Sequence, residues 1–71
     1  MKTNISADVT GTIWKVQTVV GVQVVADDTL VIIESMKMEI PVLAPRAGRV
    51  IEIKLGEGDA VTEGQVVVVL E

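Results

Sequence analysis

The stretch Leu30-Val31-Ile32-Ile33-Glu34-Ser35-Met36-Lys37-Met38-Glu39-Ile40-Pro41-Val42 decides how the rest of the chain is read. Two apolar runs flank a polar centre, the pattern of a β-hairpin. With Met36-Lys37 as the loop, Ser35 faces Met38, Glu34 faces Glu39, and Ile33 faces Ile40. The isoleucine pair then covers one end of a core. The two glutamates form a mildly unfavourable like-charge pair. A two-residue hairpin turn favours Asn-Gly or another glycine-containing pair, so Met-Lys breaks the local rule. Rules broken at an exposed tip are expected where function sits. Each oddity has an ordinary explanation: methionines fill gaps, a turn lysine is a solvated charge, and glutamates add solubility. Together they frame one lysine between apolar and acidic neighbours.

Outward from the hairpin, the chain breaks into short strands. Trp14, Val16 and Thr18 alternate with Lys15 and Gln17, and Ile51, Ile53 and Leu55 alternate with Glu52 and Lys54. That period of two predicts strands with those apolar residues on the buried face. Gly56-Glu57-Gly58-Asp59 and Thr62-Glu63-Gly64-Gln65 read as turns, and Val66–Leu70 as a short strand buried on both faces. No segment carries a helical stripe.

The two sides of the hairpin also resemble each other. Moving Asn4 onto Pro41, a shift of 37 residues, overlays 4–34 on 41–71 without a gap. Ala7 meets Ala44, Gly11 meets Gly48, Gly21 meets Gly58, Val24 meets Val61, and Glu34 meets Glu71. The glycines weigh most, because each marks a backbone position with positive φ or close approach. Residues 1–71 are thus expected to form one domain of two β units, 4–34 and 41–71, joined by the 35–40 hairpin. A two-fold axis between the units would put the tip and the termini at opposite ends.

Composition narrows the chemistry. Neither cysteine nor histidine is present in the 71 residues, which removes thiolate nucleophiles, disulfides, the commonest general base and most metal sites. The apolar content comes from Val and Ile, with one Trp and no Phe or Tyr, and suits half-buried strands. A net charge of −4 makes nucleic acid and anionic membranes poor partners. No apolar run follows Met1-Lys2-Thr3-Asn4, so no signal peptide is expected, and Val66–Leu70 is too short to span a bilayer. A soluble, intracellular all-β domain, poorly equipped to catalyse a reaction alone, is expected from these features.

Glu34-Ser35-Met36-Lys37-Met38-Glu39 resembles the attachment motif of the biotinyl/lipoyl attachment family, whose hallmark is Met-Lys-Met between two half-domains. Gly11-Thr12-Ile13-Trp14-Lys15-Val16 is similar to the opening strand of that family. Ala44-Pro45-Arg46-Ala47-Gly48-Arg49-Val50, Gly56-Glu57-Gly58-Asp59-Ala60-Val61 and Glu63-Gly64-Gln65 are similar to its second half. Lipoyl domains usually carry Asp-Lys-Ala at this turn, so Met36 and Met38 favour biotin. The departures fall mostly in the first half. Ala7-Asp8-Val9-Thr10 replaces a Pro-rich segment, Gly21-Val22 replaces Gly-Asp, and Asp27 stands where the second half has Gly64. These departures predict a locally weaker first half.

The resemblance implies an all-β fold, a flattened barrel or sandwich of two four-stranded antiparallel sheets with internal pseudo-two-fold symmetry. It implies covalent biotin on Lys37, with Glu34, Ser35, Met36, Met38 and Glu39 as recognition residues for a biotin protein ligase. It also implies two further partners, a biotin carboxylase that loads a carboxyl group and a carboxyltransferase that passes it on, as in acetyl-CoA carboxylase. The carrier it implies is monomeric and non-catalytic, in the cytoplasm, or in an organellar matrix if the domain comes from a larger eukaryotic carboxylase. The lysine amine must shed its proton to attack, and activation of the acyl group belongs to the ligase. Two alternatives remain open: a lipoyl carrier, and an unmodified interaction module such as the hybrid domains of membrane-fusion proteins.

Overall fold

β-Branched residues with glycine punctuation leave the chain few options besides short strands. The computed structural model describes residues 2–71. It contains β1 (Thr3–Ser6), β2 (Gly11–Val16), β3 (Gln23–Val24), β4 (Thr29–Ser35), β5 (Met38–Leu43), β6 (Gly48–Ile53), β7 (Ala60–Val61) and β8 (Val66–Leu70). They form two four-stranded sheets, ordered β1-β8-β6-β3 and β5-β4-β2-β7, with every pairing antiparallel. The fold class is the one expected. Exchanging each strand for its counterpart four places along the chain turns one sheet order into the other.

The faces that meet carry Ile5, Ile13, Leu30, Val31, Ile33, Val42, Val50, Val61, Val67, Val68 and Leu70, all nearly inaccessible. In β8 the buried run Val67–Leu70 includes Val69, which lies outside that core cluster, so both faces of this strand are covered.

The strict alternation expected for Trp14 and Ile51 is corrected. The β2–β4 register pairs Ile13 with Ile33 but Lys15 with Ile32, so Trp14 is the extra residue of a bulge. The same slip between Val50 and Glu52 makes Ile51 its counterpart in β6. A bulge sets two residues against one and resets the alternation. Ile13 and Val50 therefore point inward, while Trp14 is 41% exposed, with Lys15 Nζ 5.5 Å from its ring centroid. Beyond the bulges Val16, Ile53 and Leu55 rejoin the core as half-buried residues.

The turns differ between halves as the sequence differs. In the second half Gly56 N–H donates to Asp59 Oδ2 at 2.8 Å, and Val16 N–H donates to Glu57 Oε2 at 3.2 Å. The equivalent first-half positions are Val19, Val20 and Val22, all exposed. Asp27 has φ 73°, matching the 88° of its counterpart Gly64.

Thr18 occupies the position of Leu55. It is buried, and among the described residues its hydroxyl is the one buried side-chain polar atom without a hydrogen-bond partner. Thr18→Val keeps the shape and removes the unsatisfied group. It should raise unfolding free energy by about 1 kcal/mol, read as a higher urea midpoint at constant m. An unchanged or lower midpoint would show that the hydroxyl carries no penalty.

Candidate functional site

The β4–β5 hairpin has the expected register: Ile33 pairs with Ile40, Glu34 with Glu39, and Ser35 with Met38. Met36 and Lys37 are the two loop residues, and both have positive φ, 51° and 65°. That is a primed turn, whose twist matches the strands it joins. For two residues with side chains the conformation costs about 1–2 kcal/mol each. The scaffold below overcomes that cost. Ile33 is fully buried and Ile40 half-buried, which anchors the arms in the core.

Above that anchor every residue but the half-buried Ser35 is exposed. Met36 is 92% and Met38 63% exposed, and Lys37, Glu34 and Glu39 are also exposed. The two ion pairs found among the described residues, Arg49–Glu71 and Lys54–Glu52, do not involve Lys37. The six residues singled out in the sequence thus form one unit: an amine at the apex, a methionine on each side, Ser35 opposite Met38, and a glutamate pair beneath.

Two contacts at the hairpin base carry no signal in the sequence. Ser35 Oγ donates to the carbonyl of Thr10 at 2.9 Å, and Thr10 Oγ1 accepts the N–H of Glu63 at 2.9 Å. Gly11 passes so close under β4 that a Cβ there would lie 2.2 Å from the Glu34 carbonyl oxygen. Periodicity reports which face a residue takes, not a side-chain bond across 25 positions.

The opposite end of the hairpin meets the termini. Asp28 O accepts the N–H of Ala44, and Arg46 Nε donates to Thr3 Oγ1 at 3.0 Å. Arg46 also reaches the Glu71 carbonyl, and Thr3 pairs with Leu70. The described end residues therefore lie a strand length, about 20 Å, from the tip. Docking on Lys37 thus takes place at the end of the molecule away from the described end residues.

No group of three or more Asp or Glu poised to hold a metal occurs among the described residues, and no helix is long and apolar enough to cross a membrane. The arrangement suits one kind of chemistry. A primary amine in a fixed, open place can accept an acyl group that another protein has activated.

Comparison with known proteins points the same way. Residues 1–70 match the family described as biotin-requiring enzyme. The chain is 46% identical over 66 residues to the biotin/lipoyl attachment protein of Bacillus subtilis, spanning 93% of this chain and 90% of that protein. It is 37% identical over 70 residues to the biotinylated protein TB7.3 homolog of Mycobacterium leprae, spanning 99% of each. The crystal structure of Kluyveromyces lactis urea carboxylase superposes with a TM-score of 0.95 at 37% identity, covering 100% of this chain and 6% of that one. The chain is thus similar to two proteins of its own size and to a small part of a large carboxylase.

Proposed function

The chain belongs to the biotin/lipoyl attachment family, and on that premise we propose that Lys37 is the residue to which biotin is covalently joined. The observation that carries this reading is the tip itself. An exposed lysine occupies the second position of a strained two-residue turn, flanked by two exposed methionines. The site suits the group: an amide needs an accessible amine with open space around it, and the apex supplies both. Met36 and Met38 offer adaptable apolar contact to a ligase pocket, where lipoyl-type turns carry Asp and Ala.

Lys37 Nζ gives up its proton and forms a bond to the acyl carbon that a biotin protein ligase presents in activated form. The activating group leaves, and the positive charge is lost with the amide. Glu34 and Glu39, paired across the hairpin, set an acidic surround that a ligase reads together with Ser35, Met36 and Met38. Bound there, biotin supplies a ring that can take up and release a carboxyl group. The chain holds the tether, and a tether confers a high effective concentration at each station it reaches. The stations we propose are a biotin carboxylase and a carboxyltransferase of a biotin-dependent carboxylase. The acceptor we propose is an acyl-CoA, acetyl-CoA first, in keeping with the similarity, 37% identity over 62 residues, to part of a biotin-dependent acyl-coenzyme A carboxylase subunit of Mycobacterium leprae.

Intact mass tests the assignment. Incubation with biotin protein ligase, ATP and biotin should add one biotinyl amide and make the protein bind streptavidin. Incubation with a lipoate ligase, ATP and lipoate should leave it essentially unmodified. Lipoylation alone, or no gain in either mixture, would overturn the reading.

A further inference from the structure

Thr10 lies outside the Met36-Lys37-Met38 motif, in the segment where this chain departs from the family pattern. It is exposed and belongs to no strand. Yet it is the node of a short relay at the tip end. Its hydroxyl oxygen accepts the Glu63 N–H at 2.9 Å, and its carbonyl accepts the Ser35 hydroxyl at 2.9 Å. Ser35 is the residue immediately before the turn. The relay therefore ties the last residue of β4 to the 62–65 turn of the other half.

The other end of the molecule serves as an internal control. There the backbone lacing is the same: Ala44 bonds Asp28 and Asp27 bonds Ala44 at 2.8 Å each, as Ala7 bonds Gln65 and Gly64 bonds Ala7 at 2.9 Å each. Thr10, however, corresponds to Ala47, which has no hydroxyl, and Glu63 corresponds to Ala26. There the Ala47 carbonyl, counterpart of the Thr10 carbonyl, accepts Arg46 Nη1 at 2.7 Å, so that junction is tied by an arginine and needs no threonine hydroxyl. The hydroxyl is added only at the end that carries Lys37.

On the reading of Lys37 as the modified residue, we infer that Thr10 is a positioning residue for that modification. It holds the base of the hairpin so that the amine meets the ligase in one orientation. A tip that must be ordered on docking binds more weakly by the entropy it loses, whereas a tip already fixed does not. The effect belongs to binding of the carrier and leaves the chemical step unchanged.

Three proteins test this: wild type, Thr10→Ser and Thr10→Val. Biotinylation kinetics are measured with biotin and ATP saturating and the unmodified carrier varied. Backbone ¹⁵N relaxation at residues 36–38 is measured in parallel. Losing the Thr10 hydroxyl in Thr10→Val should raise KM about three- to tenfold with kcat unchanged. Order parameters at the tip should fall in that variant, and Thr10→Ser should match wild type in both measurements. Wild-type KM and tip order in Thr10→Val would overturn the inference, as would a Thr10→Ser variant as impaired as Thr10→Val. A loss confined to kcat would also overturn it. If wild type is not biotinylated, the assignment of Lys37 fails instead, and the relaxation data alone decide whether Thr10 orders the tip. Should Thr10→Val not fold, Ser35→Ala cuts the relay from the other side, and its relaxation supports the inference if tip order falls and overturns it if not.

Discussion

Lys37→Arg should abolish biotinylation completely while leaving the fold intact. Arginine keeps the positive charge, the long flexible stem and the demands on the turn, where φ at this residue is 65°. What it lacks is a nitrogen that can be deprotonated in a protein, so it offers no nucleophile for an activated acyl group. Thermal unfolding should follow the wild-type curve, and the intact mass after ligase treatment should show no added group. Three other lysines remain to report any loss of selectivity. Lys15 lies over the Trp14 ring, Lys54 is 3.0 Å from Glu52, and Lys2 precedes β1. None sits in a two-residue turn between exposed apolar residues. Wild type should therefore gain one group and the variant none. A variant that still gains the mass would place the attachment elsewhere and remove the tip from the function.

The hairpin was legible because its signal is local. Two apolar runs, a polar centre and a two-residue loop leave one register that buries Ile33 against Ile40, and a slip by one residue would expose them. The turn violation at Met36-Lys37 was equally visible, and the structure shows its form as two positive φ angles in succession. The glycines were legible only as a class. Gly21, Gly58 and Gly64 have positive φ, whereas Gly11 and Gly48 are needed because another backbone passes within reach of a Cβ. Alternation puts Trp14 on the buried face because it carries no mark of a bulge. The adjacent apolar pair Ile13-Trp14 was the one hint, since a strand with one buried face needs only one of them inside. Thr10 was invisible, because its partners lie 25 and 53 positions away and neither bond leaves a periodic trace.

Gly11→Ala and Gly48→Ala occupy equivalent places in the two halves, and their costs should differ sharply. At Gly11 a Cβ would lie 2.2 Å from the Glu34 carbonyl oxygen, 3.0 Å from Ile33 Cγ2 and 3.1 Å from the Glu34 carbonyl carbon. Glu34 is inside β4 and paired on both sides, with Thr12 and with Glu39. It cannot retreat without breaking a ladder, and Ile33 beside it is fully buried. Overpacking against fixed backbone of this kind costs about 3 kcal/mol. For a domain of this size that is a large share of the stability, which runs to roughly 0.05–0.15 kcal/mol per residue. At Gly48 the nearest atoms are Arg46 Nη1 at 2.7 Å and the Glu71 carbonyl oxygen at 2.8 Å. The guanidinium is the far end of a flexible side chain. Glu71 lies outside the β8 ladder and is held there by its N–H to the Arg49 carbonyl at 2.9 Å, so it shifts at the cost of about one hydrogen bond, where Glu34 would break a paired strand. Gly48→Ala should cost about 1 kcal/mol or less by the same measure. Urea unfolding of the two variants gives the comparison directly. The ligase assay adds a second axis: only Gly11→Ala displaces the base of the hairpin, so only it should slow biotinylation under conditions where both variants are folded. Equal destabilisation by the two alanines would mean that β4 yields at Glu34 as easily as the chain does at Glu71. The tip would then rest on a softer support than the packing of Gly11 against β4 implies.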